Sequence, residues 1–426
     1  MVRVSGPLVS QFLGSITSGA IRPRVATLTP FHDATGEILD KGIVLYFQGP
    51  GSYTGQDLLE LQGHGGPVVL QRVLQRCLEL GARVAEPGEF TRRAYLNGKL
   101  DLAQAEAVID LINASTDQAA RCALRTVSGE YSFKIHGIAK SFINLRSLTE
   151  ATLDFPEEDI DVLTWQRQEA QLTTIEKDLK GLLAASKQGS LLSEGIRVVI
   201  AGQPNVGKSS LLNRLAGQDV AIVTEIPGTT RDLIRQSINL EGLPAHFIDT
   251  AGLRETSDPV ERIGIGRAWE VLSQADAVLM MMDAQRGETD ADRIILSRLP
   301  SGVPLIRVWN KSDLVHVTSR LTQQQGAGVV WLSAKTGEGV DVLRQVLKQA
   351  VGWEGYTEGV FMAHTRHLEA MRRTQEHLGA ARMEIRNQEL FAEELRLAHE
   401  ALMSITGEVT PDDLLGEIFA RFCIGK

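Results

Sequence analysis

The stretch Ile196–Ser210, IRVVIAGQPNVGKSS, decides the fold. A short run rich in Val and Ile ends at Gly202, four residues follow, and Gly207, Lys208 and Ser209 then open a helical pattern. Glycine, four residues and Gly-Lys-Ser between a strand and a helix is the phosphate-binding loop pattern. The chemistry requires these residue types. Glycines let backbone N–H groups curl round a phosphate chain without a clashing Cβ. The helix start points its positive dipole end at the same anion, so Asn205, Val206, Gly207, Lys208, Ser209 and Ser210 form the cradle. Lys208 reaches the β- and γ-phosphates, and the Ser209 hydroxyl is a hard oxygen ligand for Mg²⁺.

Four downstream stretches, in order, complete a nucleotide site. Thr224-Glu225-Ile226-Pro227-Gly228-Thr229-Thr230-Arg231 is a loop whose Thr230 hydroxyl serves the metal and γ-phosphate. Asp249-Thr250-Ala251-Gly252 follows the apolar run His246–Ile248, which sets Asp249 at a strand end where it holds Mg²⁺ through water. Asn310-Lys311-Ser312-Asp313 follows the strand-like Leu305–Trp309. The Asp313 carboxylate accepts from N1–H and the exocyclic amine of guanine, donors that adenine lacks. Ser333-Ala334-Lys335 follows Val329–Leu332 and closes the base pocket. The order and spacing resemble GTPase G domains, and the nucleotide is read as GTP.

The chain of 426 residues is long enough for about two or three domains. It is 43% hydrophobic and 23% charged, with no apolar run long enough to cross a bilayer and no signal-peptide core at its start. Three cysteines, Cys77, Cys122 and Cys423, form no paired metal spacing, as suits a reducing cytoplasm. A net charge of −9 argues against wrapping nucleic acid over most of the surface and leaves room for a local basic patch or a basic partner.

Residues 1–98 read as mixed α and β, with strands near Val25–Thr29 and Gly42–Phe47 around a turn at Asp33-Ala34-Thr35-Gly36 and a helix over Val68–Leu80. His64, beside glycines, is assigned no catalytic role. From Leu100 to about Gly189 the spacing is helical, with Leu172, Ile175, Leu179, Leu182 and Leu183 on one stripe. The acidic run Asp154–Asp159 is read as a solvated loop. Residues 191–353 alternate strand and helix, as a parallel sheet with crossover helices requires. Helical spacing returns at Leu368, Met371 and Leu378, then Phe391, Leu395, Ala398, Leu402 and Ile405. The expected organisation is an N-terminal α+β domain (1–98), a helical domain in two parts (99–190 and 354–426) and a nucleotide domain (191–353) inserted between them.

Leu253 stands after Gly252, where many small GTPases carry a water-orienting Gln. Leucine cannot bond water, so Arg254, Glu255 and Glu261 are the nearby polar candidates. Arg231 is a candidate for charge stabilisation or for contacts between subunits. Asn205 inside the phosphate loop either helps hold a monovalent cation against the phosphates, with oxygens from Thr224–Thr229, or hydrogen-bonds its own backbone.

The whole chain resembles the MnmE (TrmE) family of tRNA-modification GTPases. GQPNVGKSSLLN, IPGTTRD, DTAGLRE with VERIGI, NKSD and SAKTGEGV carry the resemblance in the nucleotide domain. LELQGHGGP, PGEFTRRAYLNGKLDLAQAEA and DFPEEDI carry it before that domain; EELRLAHEAL, ITGE and the terminal FCIGK carry it after. The resemblance implies an N-terminal domain that dimerises and binds a tetrahydrofolate derivative (5-formyl or 5,10-methylene), a helical domain built from both flanks, and a potassium-stimulated G domain. It implies Ser209 and Thr230 as Mg²⁺ ligands, Asn205, Thr224, Ile226 and Thr229 as K⁺ ligands, and Glu261 as the acid that orients the attacking water. Arg3, Glu60, Lys99 and Lys426 match its folate-binding positions, and Cys423 matches the cysteine of its terminal motif. The activity implied is addition, with an FAD-dependent partner, MnmG, of an aminomethyl or carboxymethylaminomethyl group to C5 of the wobble uridine of certain tRNAs; the acidic net charge is consistent with that partner supplying much of the tRNA contact. Family members carry an earlier strand and Gly-rich turn before the position of Met1, so a chain starting here is expected to have a weaker dimer contact and folate pocket. The competing readings are a GTP-dependent RNA-binding switch in ribosome assembly and a helical scaffold with a degenerate nucleotide site.

Overall fold

Alternation of buried and exposed residues along Ile38–Phe47 marks a strand with one face on a core, and it forms the longest strand of the first sheet. The structure is a computed structural model. It describes residues 1–154, 162–217, 234–249, 275–299, 302–315, 317, 321–324, 327–355, 359–408, 415–416, 418–419 and 422. The N-terminal sheet joins β1 (Val2–Ser5), β2 (Thr27–His32), β3 (Ile38–Phe47) and β4 (Leu58–Gln62) in the order β1-β4-β3-β2, all antiparallel. Helices α1 (Val9–Ile16) and α2 (Pro67–Glu79) cover one face, burying Phe12, Ile16, Phe31, Val44, Leu59, Leu61, Val73 and Cys77 in one cluster. Strand β2 starts two residues and ends three residues later than the Val25–Thr29 pattern indicated, with pairing to β3 continuing to His32, just before the turn at Asp33.

Helices then follow: α3 (Glu89–Leu96), α4 (Leu102–Asn113), α5 (Asp117–Val127), α6 (Glu130–Asp154) and α7 (Val162–Glu194). Asp101 starts α4 with a capping box, accepting from the Gln104 N–H while the Gln104 side chain returns to the Asp101 N–H. After the nucleotide domain, α11 (Thr365–Met383) and α12 (Gln388–Met403) pack on α6 and α7. Leu172, Ile175, Leu179, Leu182 and Leu183 of the predicted stripe share one core with Phe142, Leu145, Met371, Leu378, Phe391, Leu395 and Leu402. Both flanks of the nucleotide domain therefore build one helical core.

Between the flanks lies a second sheet of β5 (Ile196–Gly202), β6 (Ile234–Leu240), β7 (Leu243–Asp249), β8 (Ala277–Asp283), β9 (Leu305–Asn310), β10 (Leu321–Gln324) and β11 (Ala327–Trp331). Its order is β10-β11-β9-β8-β5-β7-β6, parallel from β11 through β7, with β6 and β10 antiparallel at the edges. Strand β8, AVLMMMD, is buried along its whole length, as a strand covered on both faces must be. The chain leaves β5 toward β7 on one side and crosses to β8 and β9 on the other, so the order reverses beside the carboxyl end of β5. Ligands of open α/β sheets bind at that reversal. Helices α8 (Lys208–Ala216), α9 (Asp290–Ser297) and α10 (Val340–Ala350) complete the described part of this unit.

The nucleotide domain is rooted in the helices rather than tethered. Ala119, Cys122 and Ala123 of α5 and Leu192 of α7 belong to the same buried cluster as Leu243, Phe247, Trp353 and Val360. At Gly189 of α7 a Cβ would collide with the Phe361 carbonyl, so only glycine admits the returning chain so close. Next to this root sits a buried charged group. Arg366 grips both oxygens of Glu106 (2.7 and 2.6 Å), and His367 Nε2 lies 2.8 Å from the same carboxylate. Burial pushes the Glu106 carboxyl up, but the neighbouring His367 and Arg366 outweigh it, so it is held below the usual range and stays ionised. Burial, then Arg366, push His367 down to about 4. A neutral ring fits the geometry: Nε2–H donates to Glu106, and Nδ1 accepts from the His364 N–H at 3.1 Å. His364 instead is pushed up to about 9, against its burial, by Asp110 at 3.0 Å. Ser193 donates to the other Asp110 oxygen.

Candidate functional site

The loop after β5 forms where the sheet order reverses. Gly202 (φ 144°) and Gly207 (φ 100°) adopt backbone open to glycine, and a Cβ on either would strike a neighbour: the Met281 carbonyl for Gly202, the Asn310 amide for Gly207. Gly207 caps α8, so Lys208, Ser209 and Ser210 form its first turn, whose backbone N–H groups point toward the loop as at any helix start. The Lys208 ammonium folds back over the loop, donating to the carbonyls of Gly202 (2.7 Å) and Gln203 (2.9 Å). Asn205 stands exposed at the tip with φ 62°, a left-handed conformation that Asn tolerates. Asp249 ends β7 in register with Ile200 of β5, close to the start of the loop. This glycine cradle, cation and helix start fit a polyphosphate, and the Ser209 hydroxyl beside them suits Mg²⁺, a hard cation.

The base side is tied to the phosphate side by one residue. Asn310, 3% exposed, donates from Nδ2 to the Val206 carbonyl (2.7 Å) and accepts at Oδ1 from the Ala334 N–H (2.9 Å). It thereby links the phosphate loop to the Ser333–Lys335 loop. Arg214 of α8 repeats the link, donating to the Ala334 carbonyl at 3.3 Å and to that of Lys335. Asp313 sits in a single 3₁₀ turn, Ser312–Leu314, directly after Lys311. Buried Ser333 accepts from the Thr336 N–H and braces its loop. Two contacts escaped the reading of the sequence. Asp283, at the end of β8, holds the Lys311 ammonium at 2.6 Å, and Gln203 Nε2 donates to Thr289 Oγ1 at 2.6 Å. The signal for Asp283 was an acid closing a fully apolar run, which carries no motif of its own.

Thr224, Glu225, Ile226, Pro227, Gly228, Thr229, Thr230, Arg231, Thr250, Ala251, Gly252, Leu253, Arg254, Glu255, Glu261, Cys423 and Lys426 lie outside the described residues, as does most of the acidic run Asp154–Asp159. In the N-terminal sheet, Arg3 and Glu60 are direct cross-strand partners and form an ion pair at 2.6 Å. They line a cavity of about 330 Å³ with Phe47, Tyr53, Leu58 and, from α4, Val108 and Ile112. Lys99 is exposed beside Gly55, and its loop is joined to the sheet by Asn97, which donates to the Thr54 carbonyl. Phe422, the residue before Cys423, packs with Leu415, Ile418 and Phe419 on Leu102 and Ala105 of α4. The C-terminal residues thus share α4 with that cavity.

A glycine-lined loop at the reversal point of a parallel sheet, with Lys208 over it and Asn310 and Asp313 at the base side, defines a P-loop GTPase. The comparisons with known proteins narrow the class. The description "GTP-binding protein TrmE N-terminus" matches residues 1–99, and "MnmE helical domain" matches residues 102–423. The chain is 53% identical over 427 residues to the tRNA modification GTPase MnmE of Chromobacterium violaceum, covering 100% of this chain and 95% of that one. It is 56% identical over 431 residues to the protein of the same name from Nitrosomonas europaea, covering 100% and 96%. The solved G domain of the T. maritima FeoB iron transporter is also similar, at 25% identity over 36% of this chain and 98% of that chain, with a TM-score of 0.28. The chain belongs to the MnmE (TrmE) family of tRNA modification GTPases.

Proposed function

We propose that the chain is a potassium-stimulated GTPase that works with an FAD-dependent partner, MnmG, on certain tRNAs. Together they add an aminomethyl or carboxymethylaminomethyl group to C5 of the wobble uridine, the carbon bonded to C5 coming from a folate one-carbon unit and the remainder of the group from an amine co-substrate. The observation that carries this reading is the end-to-end identity with relatives named for tRNA modification, at 53% and 56%. The proposed units are residues 1–98 for folate binding and dimerisation, 99–190 and 354–426 for the helical domain, and 191–353 for the G domain, in a cytoplasmic homodimer.

In the GTP cycle, Lys208 leaves the Gly202 and Gln203 carbonyls for the β- and γ-phosphates. Backbone N–H groups of the loop hold the remaining oxygens, and Asp313 selects guanine. Ser209 and Thr230 are the proposed Mg²⁺ ligands, and Asn205, Thr224, Ile226 and Thr229 the K⁺ ligands. Bound cations neutralise charge that grows on the phosphates as the bond breaks. Glu261 takes the place of the missing glutamine by orienting water, and Arg231 adds charge stabilisation or a contact between subunits. For the folate, Arg3, Lys99 and Lys426 supply cations for its glutamate tail and Glu60 a carboxylate for the pterin donors. The Arg3–Glu60 cavity supports that assignment with apolar walls for a flat ring. Cys423 acts near the one-carbon group.

The test is reconstitution with the partner, tRNA, GTP, 5,10-methylenetetrahydrofolate and an amine donor (ammonium in one arm, glycine in another), read by nucleoside mass spectrometry, alongside titration with 5-formyltetrahydrofolate. A mass gain on the wobble uridine and folate binding are expected. GTP hydrolysis with neither of them, together with GTP-dependent binding to ribosomal subunits, would instead support the assembly-switch reading.

A further inference from the structure

Lys311 occupies a costly backbone conformation at the guanine side of the site. Its φ is +68°, a left-handed position that an L side chain with a Cβ adopts only when its surroundings hold it there. The backbone on either side is pinned: the Ala284 N–H donates to the Asn310 carbonyl (2.9 Å), and the Ser312 N–H to the Leu332 carbonyl (3.1 Å). The side chain is pinned by one group. Lys311 Nζ donates to Asp283 Oδ2 at 2.6 Å, while Asp283 Oδ1 accepts from the Gln285 N–H at 2.9 Å. Asp283 is 6% exposed and lies beside Asn310 in the β8–β9 register. Burial pushes its carboxyl up, and the bonds from Lys311 and Gln285 more than reverse this.

We propose that Asp283 is a positioning residue for guanine-nucleotide binding, acting through Lys311. Two consecutive residues then divide the work. Asn310 fixes the phosphate loop to the Ser333–Lys335 loop, and Lys311, drawn back to Asp283, sets the orientation of the turn that carries Asp313. Its side chain thereby joins the end of β9 to the end of β8. The same β8–α9 connection also holds the phosphate loop, through Thr289 and Gln203, so it braces both ends of the nucleotide. A solvated surface pair would contribute little; this pair has one partner buried and its second oxygen on a backbone N–H.

This inference rests on the guanine-nucleotide reading of the site, and wild-type GDP binding is the control that tests that reading separately. The experiment measures GDP affinity, GTP turnover at saturation and thermal midpoint for the full chain as wild type, Asp283→Asn, Asp283→Ala, Lys311→Ala and the Asp283→Ala/Lys311→Ala pair. Asp283→Asn keeps the shape and the bond to Gln285 but loses the charge, so GDP affinity falls about tenfold; Asp283→Ala lowers it further. Turnover at saturating GTP stays within about twofold of wild type, because Asp283 touches no reacting atom. In the Lys311→Ala background the Asp283→Ala loss disappears, since the two act as one unit. Unchanged GDP affinity in Asp283→Asn, or losses that simply add in the pair while the midpoint falls, would overturn the proposal and leave Asp283 as a strand-end ion pair of structural value.

Discussion

Replacing Gly207 with alanine asks one methyl group to enter the tightest point of the nucleotide site. Gly207 has φ 100°, so an L side chain there costs about 1 kcal/mol of backbone strain. The new Cβ would also fall far inside contact distance of Asn310 Nδ2. Asn310 is 3% exposed and has no solvent to retreat into. Moving its amide gives up the bond to the Val206 carbonyl and weakens the one from the Ala334 N–H, each worth about 1 kcal/mol. The sum is about 3 kcal/mol, or about a hundredfold in nucleotide affinity. The assay is equilibrium titration with fluorescent GDP, with circular dichroism to confirm that the protein remains folded. A variant that binds GDP within about threefold of wild type would refute the reasoning, because the loop would then have room that the glycine cradle is said to lack.

Other perturbations test separate parts of the account. His364 is raised from 6.5 to about 9, so it adds stability that is fully present below pH 6.5 and lost as pH rises through 9. The full effect is about 3 kcal/mol; His364→Gln should flatten the decline of urea-melt stability between these limits, and an unchanged slope would rule out the Asp110 pairing as its source. The opposite shift of His367, down to about 4, removes stability only as pH falls below 6.5, a window that does not overlap. Gly189→Ala forces a Cβ into the Phe361 carbonyl, which is backbone and cannot swing away, and should cost about 3 kcal/mol in the same melts. Asp313→Asn turns an acceptor of two N–H groups into a mixed donor and acceptor, lowering GTP affinity by about two orders of magnitude and favouring xanthosine triphosphate in competition titrations.

The phosphate loop was legible because its chemistry leaves few choices: Gly202, Gly207, Lys208 and Ser209 are fixed by a phosphate's geometry whatever surrounds them. The parallel sheet was legible because β8 is an unbroken apolar run and β5 a Val/Ile run ending in glycine. The joining of both helical flanks followed from stripes such as Leu172–Leu183 and Phe391–Leu402, each of which needed a partner face. Contacts that depend on distant pairing were not legible. Glu106 lies 260 positions from Arg366 and 261 from His367, and nothing local marks Glu106, on a helix among alanines, as a buried anion. Asp283 was hidden for the same reason, since its partner Lys311 lies just past the end of the next strand and each looks like an ordinary strand-end charge. Arg3 and Glu60 became a pair only once β1 and β4 were seen in register.

The most direct measurement is the initial rate of phosphate release from GTP by the purified chain with Mg²⁺, in K⁺ and then in Na⁺ at equal ionic strength. The account predicts faster release in K⁺, with the advantage lost in Asn205→Ala while GDP binding is retained. Equal rates in the two salts would contradict it, for the leucine that replaces glutamine at position 253 would then be offset by something other than a bound alkali cation.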